Sequence, residues 1–237
     1  HIPTNGGLVN PVEEIGAVAR AHGITYLVDA CQSAGQVALD VDAIQCDLLS
    51  ATGRKFLRGP RGVGFLYVSN RIVDSLHPPM IDLFSATWID AEHYELRKDA
   101  RRFENWENNY SAKLGLGSAV DYALEIGLDN IEAEITRLAA SLRAMLAQIP
   151  AVSVHDIGKR KCGIVSFSVA GVDAGEIETR LRQGGIHVSV STPNSTLIDA
   201  TRRQLPEVVR ASVHYYNQDS ELRALVDLVK SICEQAG

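Results

Sequence analysis

Short apolar runs alternate along this chain with amphipathic stretches of helical period. Val12, Ile15, Val18 and Ala19 recur at helical spacing after Asn10-Pro11, and the helix they predict stops near Gly23. Ile24-Thr25-Tyr26-Leu27-Val28 is then a near-continuous apolar run, the pattern of a strand covered on both faces, and it ends in Asp29. A short helix follows around Val41 to Ile44. Leu48-Leu49-Ser50-Ala51-Thr52 predicts the next strand, Gly59-Pro60-Arg61-Gly62 a turn, and Val63 to Val68 another strand. Ser111 to Ala147 is helical in pattern. Leu114, Ala119, Tyr122 and Ile126 form one stripe, and Ile131, Ile135, Leu138, Leu142 and Leu146 a second. Val152 to His155 and Ile164 to Val169 read as strands, and Ala174 to Gln183 as a helix ending at Gly184-Gly185. Ile186 to Val190 and Val208 to Tyr215 read as strands, and Asp219 to Glu234 as a closing helix.

Alternating helix and strand signals predict an α/β fold. Residues 1–126 read as part of a large domain with a mostly parallel sheet and flanking helices. Residues 127–237 read as a small C-terminal α+β domain, with the boundary near Gly127.

Composition narrows the function classes. The 237 residues, 46% hydrophobic and 22% charged, suffice for a real core. A formal charge of −6 argues against nucleic acid or an anionic membrane as partner, since both need basic clustering. No apolar run approaches the roughly 20 residues of a spanning helix. Cys31, Cys46, Cys162 and Cys233 are widely spaced without a CxxC pair, so no metal site is expected and reduced thiols in a cytoplasmic protein are. The sequence opens at His1 without a Met and reads like the middle of a protein. An upstream portion is therefore expected, and the chain by itself is expected to hold a cofactor weakly.

Three residues stand out chemically. Asp29 ends a strand, where ligands of open α/β sheets bind; a helix cap or loop role is an equal alternative. Lys55, in Thr52-Gly53-Arg54-Lys55, follows the next strand and is either a snorkelling surface residue or a Schiff-base lysine. Arg210 interrupts the apolar run Val208-Val209-Arg210-Ala211-Ser212-Val213, so it wants a carboxylate or phosphate partner, or a structural ion pair. Together they suggest pyridoxal 5′-phosphate chemistry. Such a site needs an amine for the aldehyde, a carboxylate for the pyridinium nitrogen and a guanidinium for an amino-acid carboxylate.

The segments His1-Ile2-Pro3-Thr4-Asn5-Gly6-Gly7-Leu8-Val9-Asn10-Pro11, Val28-Asp29-Ala30-Cys31-Gln32-Ser33-Ala34-Gly35, and Thr52-Gly53-Arg54-Lys55 with Gly59-Pro60-Arg61-Gly62-Val63-Gly64 resemble the class V aminotransferase family of fold-type I pyridoxal-phosphate enzymes. That family includes cysteine desulfurases, isopenicillin N epimerase and hercynylcysteine sulfoxide lyases. The resemblance implies that Lys55 binds the cofactor aldehyde and shuttles the substrate α-proton. It implies that Asp29 pairs with the ring nitrogen, that Gln32 hydrogen-bonds the ring oxygen, and that Thr52 and Arg54 hold the phosphate. Desulfurases carry Ser and His at those two positions, and a guanidinium serves as a substitute. Thr4 falls where many desulfurases carry an Asn that orients ring and substrate, and Arg210 matches the arginine that grips the substrate carboxylate. Homodimers are the family's form.

Two departures matter. Phe103-Glu104-Asn105-Trp106-Glu107-Asn108 replaces a small Gly-Thr-Pro stretch, and Trp106 reads as a packing or interface aromatic. Desulfuration also needs a thiolate on a mobile loop, yet Ser189-Val190-Ser191-Thr192-Pro193-Asn194-Ser195-Thr196 holds no cysteine. The expectation is an enzyme acting on an amino acid or amine, with carbon–sulfur lyase favoured. A class V aminotransferase or an amino-acid epimerase is the alternative. A non-catalytic remnant serving in binding or dimerisation is the reading from another class.

Overall fold

The computed structural model describes residues 1–236. They form two compact units. The first comprises residues 1, 11–35 and 39–125, and the second residues 2–10, 36–38 and those from Ile126 onward. Pattern alone places a boundary near Gly127; the segment 2–10 joins the second unit through backbone hydrogen bonds such as the Cys162 amide to the Gly7 carbonyl, and 36–38 through the Gly163 amide to Gln36 Oε1 and the Ala38 amide to the Glu132 carboxylate, none of which carries a hydrophobic signature.

In the first unit the elements run α1 (Val12–Ala21), β1 (Leu27–Asp29), α2 (Val41–Ile44), β2 (Leu48–Thr52), β3 (Gly64–Val68), β4 (Ala86–Trp88), β5 (Tyr94–Leu96) and α3 (Tyr110–Ile126). β1 pairs parallel with β2, Leu27 opposite Leu48 and Asp29 opposite Ser50. β2 pairs antiparallel with β3, Thr52 opposite Gly64. The carboxyl ends of β1 and β2 therefore share one sheet edge.

β1 is shorter than the apolar run 24–28. Residues 22–26 are spent leaving α1: Gly23 takes φ +65°, and the Ile24 amide donates back to the Ala19 carbonyl. The strand begins only once the Tyr26 amide reaches the buried Asp47 carboxylate, 2.9 Å away. Only Val28 of β1 is buried, and Leu27 stays 53% exposed. β4 and β5 form a hairpin that the pattern does not announce. The neighbouring Asp82 carboxylate accepts from the amides of Phe84 and Trp106, and Trp106 packs edge-to-face on Phe84. Trp106 is thus a packing aromatic, still half exposed.

The second unit contains α4 (Leu128–Leu146), β6 (Val152–Val154), β7 (Ile164–Val169), α5 (Ala174–Gln183), β8 (Ser189–Ser191), α6 (Leu197–Arg203), β9 (Val208–Ser212) and α7 (Asp219–Ala236). The helical stretch 111–147 is two helices, broken where Gly127 adopts φ +91°. The four strands form an antiparallel sheet in the order β6-β7-β9-β8. One face carries Val165, Phe167, Val169, Val209 and Ala211, packed on Leu138, Leu142, Leu146, Ile177, Leu181, Leu225 and Val229 from the helices. That face is the core, and its burial is the main stabilising term here.

The two late strands are also shorter than predicted. The Ile186 amide still closes the end of α5 on the Leu181 carbonyl, so β8 begins at Ser189. β9 stops at Ser212 because the next residues turn away, with the His214 amide donating to the Asn217 side chain. α6, to which the sequence reading assigns no element, has no apolar stripe to reveal it: only Ala200 of its seven residues is buried. Among the described residues no helix is long and apolar enough to cross a membrane.

Candidate active site

Parallel pairing sets the first cluster. The register that places Asp29 beside Ser50 continues one step further, the Ala30 amide donating to the Ser50 carbonyl at 2.8 Å. Both chains then turn. Residues 30–34 close on themselves through the Ser33 and Ala34 amides, both donating to the Ala30 carbonyl. Residues 53–59 close through the Gly59 amide donating to the Gly53 carbonyl, 2.7 Å. The two turns touch backbone to backbone at Gly35. It has φ +88°, and a Cβ there would lie 2.5 Å from the Leu57 nitrogen. Only glycine permits that approach.

This edge gathers five of the residues singled out by sequence. Asp29 ends β1 and Gln32 lies buried in the turn after it. Thr52 ends β2, and exposed Arg54 and half-buried Lys55 begin the following loop. The Asp29 carboxylate accepts the Cys31 amide at 2.9 Å. That bond, with the Cys31 thiol and the Lys55 charge adding to it, holds its pKa below the usual carboxylate range. Asp29 is therefore an anion at neutral pH, able to hold a cationic ring nitrogen. Cys31, which the sequence gives only as a reduced thiol, is its hydrogen-bond partner. Burial first, then Asp29, pushes the Cys31 thiol up and keeps it protonated. Of the basic loop residues, Arg58 sets its guanidinium over the Tyr122 ring, 5.0 Å from the centroid.

Thr4 and Arg210 belong to the second unit. Antiparallel pairing sets Arg210 opposite Ser166 on β7 and Ser189 on β8, so these side chains share the face away from the core. Ser191, opposite Val208, joins the same face by alternation. Arg210 Nε is enclosed and has no hydrogen-bond partner. Burial lowers the guanidinium's pKa, yet arginine remains charged. Among the described residues no carboxylate answers it, which sets aside the structural ion pair and leaves a cation suited to an anionic ligand.

The segment 2–10 runs over this polar face. The Gly6 amide donates to Ser166 Oγ at 3.0 Å and the Asn5 amide group to Ser191 Oγ at 2.8 Å. Gly7 passes so close to Asp156 that a Cβ would meet that side chain at 2.7 Å. Sequence reasoning missed Asn5, Ser166 and Ser191. A serine at every second strand position was the available signal, since it marks a face not meant for the core. Among the described residues no cluster of metal-ligating side chains occurs.

The family profile described as Aminotransferase class-V matches residues 1–225. A probable cysteine desulfurase of Synechocystis sp. is 33% identical over 232 residues, which are 94% of this chain and 53% of that protein. The apo structure of a cysteine desulfurase from Thermococcus onnurineus NA1 matches with a TM-score of 0.92 at 27% identity, over 99% of this chain and 59% of that one. A cystine C–S lyase, solved with its reaction product cysteine persulfide, matches with a TM-score of 0.82 at 27% identity, over 96% and 58%. The chain thus spans a little over half the length of the relatives it matches.

Proposed function

The chain belongs to the class V aminotransferase family, and from that membership we propose that it carries the lysine-bearing part of a pyridoxal-phosphate enzyme that cleaves a carbon–sulfur bond of a cysteine-type amino acid. In this reading residues 1–126 serve the cofactor and residues 127–237 the substrate carboxylate. The observation that carries it is the meeting of Asp29 and Lys55 at the ends of two adjacent parallel strands, close enough that the lysine charge helps hold the carboxylate ionised. The donor set fits the group: an anion for the ring nitrogen, an amine for the aldehyde, Thr52 and Arg54 for phosphate, and an unanswered guanidinium for a second anion.

When bound, pyridoxal phosphate supplies an electron sink for the charge that develops at the substrate α-carbon. This chain's residues do the rest. Asp29 accepts the ring N–H and keeps that nitrogen protonated. Gln32 donates to the ring oxygen, and Thr4 flanks ring and substrate. Thr52 and Arg54 hold the phosphate, Arg54 as a two-pronged donor. Lys55 Nζ takes the proton from the α-carbon. Arg210 fixes the substrate carboxylate and so orients the bond to be broken.

The lyase choice over desulfuration rests on the thiols. A sulfur-accepting cysteine must be an accessible thiolate. Burial is the leading cause that raises the pKa of each of Cys31, Cys46, Cys162 and Cys233, and none lies between Ser189 and Arg203. Sulfur then leaves with a product instead of on the protein. The likeness to a cystine C–S lyase supports cystine or a related cysteine derivative as substrate; a homodimer as the working form and a cytoplasmic site are part of the same proposal. The test is borohydride reduction of the protein in excess pyridoxal phosphate, followed by peptide mapping. The reduced cofactor should sit on Lys55 and be lost in Lys55→Ala. Labelling of Lys98, Lys113, Lys159, Lys161 or Lys230 instead would overturn the assignment. Pyruvate and ammonia from a cysteine derivative would select the lyase; a keto acid formed only with an amino donor would select the aminotransferase.

A further inference from the structure

The stretch after β8 ought to be loose. It is polar, it contains a short 3-10 turn and one short helix, and six of the seven residues of α6 are not buried. It is instead fixed at three points. Asn5 donates to Ser191 Oγ at its start, and Thr196 Oγ1 donates to Asn5 Oδ1 at 3.4 Å beyond the turn. At its end Arg203 donates to the His155 carbonyl at 2.6 Å and pairs with Asp199. Asn5 and Ser191 are each only 7% exposed, so their bond is shielded from water. Asn5 is itself held, because the next residue anchors to Ser166 on the strand beside Arg210. One amide side chain thus ties together the two polypeptide segments that flank the unanswered guanidinium.

We infer that Asn5 is a positioning residue that holds residues 191–196 as a fixed wall beside Arg210. This rests on the reading of Arg210 as the substrate-carboxylate anchor. The wall sets which side chains fit next to that carboxylate, and it keeps the segment from swinging as a carrier loop would.

The test has two independent readouts. Hydrogen exchange of the amides in residues 191–203, followed by mass spectrometry, reads the clamp without any cofactor. In Asn5→Ala the Ser195 amide, which donates to the Thr192 carbonyl, should exchange about tenfold faster or more, the scale of one lost shielded hydrogen bond. Thr196→Val should do the same to a smaller degree, and it covers the case in which Asn5→Ala fails to fold. Asn5→Asp should keep the segment protected, since both hydroxyls can donate to a carboxylate. In the cofactor-loaded enzyme that same substitution should raise KM about tenfold with little change in kcat, because it sets a negative charge near the bound carboxylate. Unchanged exchange in both Asn5→Ala and Thr196→Val would overturn the clamp. Unchanged KM in Arg210→Lys would overturn the anchor reading and leave the exchange result standing.

Discussion

Asp29 does its work through an unequal bargain with its neighbour two residues on. The Cys31 amide, Cys31 thiol and Lys55 charge all favour the carboxylate over the acid, and partial burial opposes them. Replacing Cys31 by Ala keeps the amide and loses the thiol. The Asp29 carboxyl pKa, followed by carbon NMR, should rise while staying below its ordinary value near 3.8. The reciprocal change, Asp29→Asn, should lower the Cys31 thiol pKa, read as alkylation that starts at lower pH. A carboxylate whose folded pKa is depressed contributes stability above its unfolded pKa and loses it as pH falls through the folded value. Asp29 therefore contributes to acid unfolding only below about pH 4. His155 is different. Its pKa is lowered chiefly by burial, with Arg203 adding to it, and its ring bonds Ser168 Oγ at 2.8 Å. A histidine kept neutral by the fold gives stability above its unfolded pKa that is lost as pH falls. Unfolding free energy should decline from about pH 6.5 downward, and His155→Gln should flatten that decline.

At the scale of elements, the two turns that follow β1 and β2 depend on how closely backbones approach. Gly35→Ala would place a methyl 2.6 Å from the Phe56 carbonyl carbon at a positive φ. The expected cost is more than about 1 kcal/mol in thermal or urea unfolding, with a parallel loss of pyridoxal-phosphate affinity because the 53–59 loop must move. Leu142→Ala, in the other unit's core, should cost about 2–5 kcal/mol and leave that affinity alone. The same contrast explains what could be read in advance. The helices α4, α5 and α7 bury one stripe each, so periodicity gave them nearly residue by residue, whereas Ile15 and Val18 of α1 and Leu114 and Tyr122 of α3, read as stripe positions, stay exposed. Asp29 and Lys55 were legible because strand ends leave sequence marks, Gln32, Thr52 and Arg54 came from the family resemblance alone, and the structure brings all five to one edge. The β4–β5 hairpin and α6 left no mark. They are held by individual polar contacts such as Asp82 to the Trp106 amide and Arg203 to the His155 carbonyl. Asn5 was invisible for the same reason: its partner is 186 residues away.

Taken as a whole, the molecule keeps its thiols protonated. Four thiols are distributed over both units, and burial raises the pKa of every one. Cys162 is 3% exposed and Cys46 5%, so reagents reach them only on unfolding or local opening. Cys31 and Cys233 are partly accessible, but neither has a neighbouring cation that outweighs burial. Thiolate fraction sets attack on sulfur, and a thiol pushed above its ordinary pKa is only a few per cent ionised or less at pH 7. Iodoacetamide at pH 7 should modify the native protein no faster than a free cysteine, and mostly at Cys31 and Cys233. After turnover with a cysteine derivative, mass spectrometry of the intact protein should find no added sulfur atom. Sulfur should appear in small-molecule products in proportion to pyruvate, and a Cys31→Ser variant should keep that proportion. A stoichiometric persulfide on any of the four cysteines would return the chain to the desulfurase mode of action, with the fixed wall of residues 191–196 as the first feature to be reconsidered.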